Sequence, residues 1–278
     1  MPGERGRGRS GKLRPMNLYS RRVLLTGATG GIGHAIARAL AQRGARLVLT
    51  GRRTDVLEPL AAELGAEALA VDLARRDEVE RLVAEAGDVD VLVANAALPG
   101  SGAVMDYDVD EIDRALEVNL RAPVVLARLL GAPMVERGEG HMVFISSMAG
   151  KVVPPGSAIY SATKFGLRAF AAGLRQDLRG AGVGVSAVFP GFISDAGMFA
   201  DTEVKLPPIV GMNTPEDVAA GVVRAIERDR AEVDVAPAPV RVTAKLSALA
   251  PGPMGALQRR LGSEKIAEQM GERQKVKR

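Results

Sequence analysis

Tyr160 and Lys164 stand four residues apart in the stretch YSATK, in a chain that has three tyrosines and no tryptophan. If the segment is helical, that spacing puts both side chains on one face. An ammonium held near a phenol favours the phenolate and draws the phenol's pKa down from about 10 towards neutrality. A phenol tuned in this way can give and take a proton. Alone, the pair is also what an ordinary helix surface shows, so its meaning depends on its company. Ser147 precedes Tyr160 by thirteen residues, at the end of an apolar run, and offers a hydroxyl to a substrate oxygen. Its neighbour Ser146 is expected to point to the opposite side of the strand.

A second constellation lies upstream. VLLTGATGGIGHAIA carries Gly27, Gly31 and Gly33 in the pattern T-G-x-x-x-G-x-G, with four glycines among seven residues. The spacing departs from G-x-G-x-x-G, but the physical roles carry over. Gly27 turns the chain out of a strand, Gly31 admits a pyrophosphate to the backbone, and Gly33 lets a helix pack closely on the sheet. The N–H groups and positive dipole end of that helix suit phosphate. The next strand ends LVLTGRR, with no carboxylate to take a ribose 2′-hydroxyl. Arg52 and Arg53 follow and suit a 2′-phosphate, which predicts NADP(H) over NAD(H), although solvated loop arginines would look the same.

The elements that must position these groups alternate. Apolar, β-branched runs at 22–26, 46–50, 67–71, 90–94, 141–146, 184–189 and 232–236 are separated by helical patterns such as IGHAIARALAQRG and DEVERLVAEAG. Runs that are apolar at every position, rather than at alternate ones, mark strands covered on both faces. The β-α-β-α order predicts a single doubly wound α/β domain of Rossmann type, with a mostly parallel sheet and helices on both faces. Thr214, Pro215, Glu216 and Asp217 predict a capped helix start, and Gly44 a helix stop.

With these motifs in order, the chain resembles the short-chain dehydrogenase/reductases over about residues 20–240. TGATGGIG, NAA at 95–97, Asn119, ISS at 145–147, YSATK and Pro190-Gly191 carry the resemblance. It implies an oxidoreductase interconverting a carbonyl and an alcohol. Tyr160 would be the acid/base, Lys164 its tuning cation and ribose ligand, and Ser147 the polariser of the substrate oxygen. Asn119 would hold a water that links Lys164 to solvent. Further cofactor contacts are implied for Thr29, Ile32, Asp72, Leu73, Asn95, Pro190, Gly191 and Ile193. The chain departs from the family in two places. Ala97 stands where glycine is common, and Asp195 stands where a threonine usually holds the nicotinamide carboxamide. An NAD-dependent alcohol dehydrogenase of the same family is the first alternative, and a dinucleotide-binding scaffold or redox sensor the second.

The remaining sequence bounds partners and setting. The 278 residues are 47% apolar and 25% charged, the composition of a globular protein with a substantial core. There are no cysteines, which fits a reducing, cytoplasmic setting. No apolar run is long enough to predict a membrane span. The net charge of +4 is concentrated at the ends, with a basic, Gly- and Arg-rich arm at 1–19 that is expected to be disordered. No groove-reading motif or aromatic platform suggests nucleic-acid binding. His34 and His141 are expected to pack, and no metal is predicted. The loop at 191–215 follows the sixth strand and is rich in apolar residues. Phe192, Met198 and Phe199, with Ser147 and Tyr160, are the candidate substrate contacts, which implies a small apolar substrate. Residues 241–278 form an extension of short amphipathic pieces, open to self-packing, subunit contact or peripheral membrane contact. By analogy with the family, a homodimer or homotetramer is expected.

Overall fold

A computed structural model describes residues 15–194, 211–250, 252–253 and 271–273. Among the described residues, seven parallel strands form one sheet in the order β3-β2-β1-β4-β5-β6-β7. The strands are β1 (Arg22–Thr26), β2 (Arg46–Gly51), β3 (Glu67–Ala70), β4 (Val91–Ala94), β5 (Gly140–Ile145), β6 (Val183–Pro190) and β7 (Glu232–Val235). Each lies within a residue or two of its expected bounds.

The helices are α1 (Gly31–Ala41), α2 (Thr54–Leu64), α3 (Arg76–Ala86), α4 (Val109–Leu116), α5 (Ala122–Arg137), α6 (Ala158–Asp177), α7 (Pro215–Glu227) and α8 (Ala238–Leu249). One apolar cluster joins one face of the sheet to α1, α2 and α7 through Leu25, Ile36, Leu60, Val93 and Ile226. The other joins the opposite face to α3, α5 and α6 through Leu24, Leu82, Leu92, Leu130, Phe144 and Leu167. Successive strand residues therefore enter different cores, which is why the runs are apolar throughout.

The caps behave as their residue types dictate. The Thr214 hydroxyl accepts from the Asp217 N–H at 3.2 Å, and the Asp217 carboxylate accepts from the Thr214 N–H at 3.0 Å, a reciprocal cap on α7. Between α4 and α5 the helix widens by one π turn over Glu117–Arg121, a feature common at functional sites. The combined helix Val109–Arg137 is long and apolar enough to cross a membrane by length and composition. Its residues Leu126, Leu130 and Met134 are instead buried in the second core, so it packs as an interior helix. Helix α8 runs across residue 240, the expected edge of the domain, and buries Ala244 in that same core.

The order in which successive strands are added reverses between β1 and β4, the switch point where such sheets bind ligands beyond their strand ends. The carboxyl ends of β1, β4, β5 and β6 each deliver one of the predicted motifs.

Candidate active site

The glycine turn leaves β1 with Gly27 at φ +66°, and a Cβ there would lie 2.7 Å from the Ala96 Cα. At Gly33 a Cβ would lie 2.2 Å from the Gly27 carbonyl oxygen. Both positions exclude any side chain, one by dihedral angle and close approach, the other by approach alone. Gly31 opens α1, after Gly30 at its cap. No side chain caps this helix, so its first N–H groups remain available to an anion. Thr29 lies in the turn, and Ile32 is half-buried at the helix start.

Asn95 ties β4 to this turn. Its amide donates to the Thr26 and Gly27 carbonyls at 3.0 and 3.1 Å. The Thr26 hydroxyl in turn accepts from the N–H groups of Asn95 and Ala96 at 3.0 and 3.1 Å. Thr26 opens the glycine motif in the sequence, but its role as the acceptor for β4 shows only in the fold.

The two arginines after β2 differ. Arg53 donates to the Thr29 carbonyl and so joins the second loop to the glycine turn. Arg52 is exposed and makes no hydrogen bond or ion pair with the described residues. It lies close enough to Asp72 to favour its charged form. Burial opposes that charge, but the Ala74 N–H and Arg114 outweigh it and hold the Asp72 carboxyl below the usual carboxylate range. Arg114 reaches Asp72 at 2.9 Å. Leu73, beside it, is buried.

Residues of β5, α6 and the turn between them build the reactive group. Ser147 follows β5 in extended conformation, and its hydroxyl accepts from the Ala149 N–H at 3.1 Å. Ser146 points elsewhere, as expected of its strand neighbour. It is buried and donates to the Lys164 carbonyl at 3.0 Å. Lys164 is 2% exposed, and its ammonium donates to the Ile145 carbonyl at 2.9 Å. The ammonium lies 5.5 Å from the centroid of the Tyr160 ring. Asn119, in the π turn, is buried, accepts from the Leu98 N–H at 2.6 Å and donates to the Leu98 carbonyl at 2.9 Å.

The electrostatics correct one expectation. Tyr160 is half-buried, and desolvation pushes its phenol up to about 12. A hydrogen bond with Ser147 offsets this in part. Lys164 does not bring the phenol down in this state. Burial lowers the lysine itself to about 8, and its ammonium is turned to the Ile145 carbonyl. Desolvation wins because burial costs each group the hydration of its charged form.

At the end of β6, Pro190 is the last strand residue, and the Gly191 N–H donates to the Val235 carbonyl at 2.9 Å. Ile193 is buried and pairs with Asn213 in a parallel bridge. Asn213 N–H donates to the Phe192 carbonyl at 3.0 Å, so the two ends of the long loop are joined at its base. Met198, Phe199 and Asp195 lie outside the described residues. Among the described residues, no group of three metal-binding side chains occurs. A hollow lined by Asn17, Tyr19, Arg21, Arg46 and Asp90 lies at the opposite ends of the strands, away from this chemistry.

Sequence comparison agrees with this architecture. The family model described as short chain dehydrogenase matches residues 21–206. A protein of Nostoc sp. named "Ketoacyl reductase HetN" is 39% identical over 232 residues, which is 80% of this chain and 81% of that protein. Among solved structures, a short-chain dehydrogenase from Sphingobium yanoikuyae in complex with NADPH is 28% identical, with a TM-score of 0.73. The match covers 85% of this chain and 95% of that one. A bulky-bulky ketone specific alcohol dehydrogenase from Comamonas testosteroni is 26% identical with a TM-score of 0.72, over 84% and 93% of the two chains.

Proposed function

The chain belongs to the short-chain dehydrogenase/reductase family, and we propose that it reduces a small, apolar carbonyl compound to the alcohol using NADPH. The observation that carries this reading is the grouping of Tyr160 with the buried Lys164, whose ammonium lies 5.5 Å from the phenol ring, and with Ser147 after β5. A phenol with its pKa pushed up to about 12 holds its proton at neutral pH, as a donor to a developing alkoxide must.

The cofactor cradle fits a dinucleotide. The uncapped start of α1 and the side-chain-free approaches at Gly27 and Gly33 suit a pyrophosphate. Arg52, exposed after a β2 end that carries no carboxylate, suits a 2′-phosphate and favours NADPH over NADH, while Arg53 holds the Thr29 carbonyl beside it. The NADPH complex of the Sphingobium relative supports this preference. Bound NADPH would supply the hydride. Asp72, Leu73, Asn95, Pro190, Gly191 and Ile193 would line its remaining length.

The chain's own groups do the rest. Ser147 donates a hydrogen bond to the substrate oxygen and holds it beside Tyr160. Tyr160 transfers its phenolic proton to that oxygen as negative charge builds there, completing the alcohol. The ammonium of Lys164, 5.5 Å from the Tyr160 ring, would turn from the Ile145 carbonyl to stabilise the phenolate left behind until solvent returns a proton. Asn119 keeps Leu98 in place and supports that return through a bound water.

Phe192, with Met198 and Phe199, would line the substrate side. A cytoplasmic setting fits a chain without cysteine. A homodimer or homotetramer fits the exposed Leu116 and Phe165. Residues 20–240 would act as the catalytic domain, between the arm at 1–19 and the extension from 241.

The test is a panel of ketones and alcohols assayed with NADPH, NADH and their oxidised forms, with Tyr160→Phe beside the parent. The variant is expected to lose on the order of 10²–10⁴ in kcat while binding NADPH normally. A Tyr160→Phe protein that reduces ketones at the parent rate overturns the mechanism. NADPH binding without turnover of any panel member favours a scaffold or sensor.

A further inference from the structure

Gly271 is buried, although it lies far beyond the stretch matched by the family model, which ends at residue 206. A Cβ built on it would lie 2.9 Å from the Gly102 Cα and 3.5 Å from the Ser101 carbonyl oxygen. Backbone therefore rests on backbone, at a distance that no side chain allows. Two residues before Gly102, Gly100 rests in the same way on the acid/base residue. A Cβ there would lie 2.9 Å from the Tyr160 Cβ and 3.1 Å from its main-chain nitrogen. The segment between β4 and α4 is thus sandwiched between the C-terminal residues and Tyr160.

Its other anchors lead the same way. The Gly102 N–H donates to the Gly156 carbonyl at 2.7 Å, just ahead of the helix that carries Tyr160. The Tyr107 hydroxyl donates to the Ser101 carbonyl at 3.0 Å. Asn119 holds both polar groups of the Leu98 backbone. With Leu98 held by Asn119 and Gly102 by Gly156, Gly271 adds a contact on Ser101 and Gly102, next to the residue that rests on Tyr160.

We propose that Gly271–Arg273 is an outer brace of the substrate wall, which seats Gly100–Gly102 on Tyr160 and so sets the size of carbonyl compound admitted to Tyr160 and Ser147. This rests on the ketone-reducing reading above. Gly271 is a positioning residue in this scheme, because it touches the wall and not the reacting atoms.

The experiment compares the full chain with a chain ended after residue 270 and with Gly271→Val, which keeps the full length. Acetone, acetophenone and benzophenone are assayed with NADPH, and amide hydrogen exchange is followed over residues 98–107. Both variants are expected to bind NADPH within about twofold of the parent, because the glycine turn is untouched. Exchange at the amides of Ser101 and Gly102 is expected to rise about tenfold or more. The ratio of kcat/KM for benzophenone to that for acetone is expected to rise about fivefold or more, through KM. An unchanged ratio overturns the size-setting role, and unchanged exchange overturns the brace. If the shortened chain does not fold, Gly271→Val decides. A parent that turns over no carbonyl compound overturns the proposed function and the size-setting role with it, while exchange still decides the brace.

Discussion

The hydroxyl of Ser146 donates to the main-chain carbonyl of Lys164 at 3.0 Å, and it does so where a Cβ on Gly150 would lie 2.6 Å from that hydroxyl oxygen. The bond ties the end of β5 to the middle of α6. On one side of the junction Ser147 follows, and on the other the ammonium of Lys164 returns to the Ile145 carbonyl. Of three consecutive residues, Ile145 thus holds the lysine's side chain, Ser146 holds its backbone and Ser147 brings a hydroxyl towards Tyr160.

Ser146→Ala leaves the Lys164 carbonyl without this donor in a buried place. The carbonyl keeps its helix partner, so the expected cost is about 0.5–1.5 kcal/mol of stability. Urea denaturation measures that loss. Because the misplaced group is the backbone under Lys164, kcat should fall while KM for NADPH stays near the parent value. Ser146→Thr retains the hydroxyl and is expected to restore most of both if the added methyl is accommodated.

Protonation of His141 provides a pH test of the core. His141 is buried, and its Nε2 lies 2.8 Å from the Ser186 hydroxyl. Burial lowers its pKa to about 4, against the opposing pull of Asp229 and with some help from Arg175. The folded value lies below the unfolded value of about 6.5, so the unfolded chain binds more protons between them. Stability is therefore fully present above about pH 6.5 and is lost as the pH falls towards 4, by roughly 3 kcal/mol at most. Urea midpoints at pH 7.5, 5.5 and 4.5 measure the slope. The decline between the first two points should be much smaller in a His141→Gln protein than in the parent.

How much of this was legible in the sequence depends on the range of each interaction. The seven strands were visible because strands buried on both faces are apolar at every position, and Gly, Asp and Arg punctuate them. The α7 cap was visible because Thr214 and Asp217 are local partners. Tyr160, Lys164 and Ser147 were visible because their spacing is fixed within one strand-to-helix connection. The π turn around Asn119 was not visible, since no local residue type dictates the wider turn. The role of Thr26, and Gly100 and Gly150 altogether, were not visible either, since each depends on a partner distant in sequence, at Asn95, Tyr160 and Lys164. The sign of the Tyr160 shift was unreadable for the same reason. Sequence places a cation beside the phenol, but only packing shows that desolvation outweighs it.

Arg52 is the arginine free to meet a 2′-phosphate, because Arg53 is already committed to the Thr29 carbonyl. Arg52→Asp removes a charge-assisted donor and places a like charge near the phosphate. The dissociation constant for NADPH, measured by fluorescence titration, is expected to rise about tenfold to a hundredfold. That for NADH should change much less or fall, since a carboxylate can accept from the ribose 2′-hydroxyl. Arg53→Ala should weaken both cofactors together, because it loosens the glycine turn that either one needs.

Thr26 makes the most specific prediction about the cradle itself. Its hydroxyl is the acceptor for two consecutive N–H groups, those of Asn95 and Ala96, and the residue is 1% exposed. Ala96 is also the residue whose Cα a Cβ on Gly27 would meet at 2.7 Å. Thr26→Val preserves shape and removes the acceptor, so both donors lose a partner at the point where β4 meets the turn. A loss of about 1–3 kcal/mol in stability is expected, together with weaker binding of NADPH and NADH alike. Thr26→Ser keeps the hydroxyl and should bind both cofactors nearly as the parent does. Equal cofactor affinity in Thr26→Val and the parent, measured by the same titration, would mean that the Thr26 hydroxyl does not set the turn's geometry.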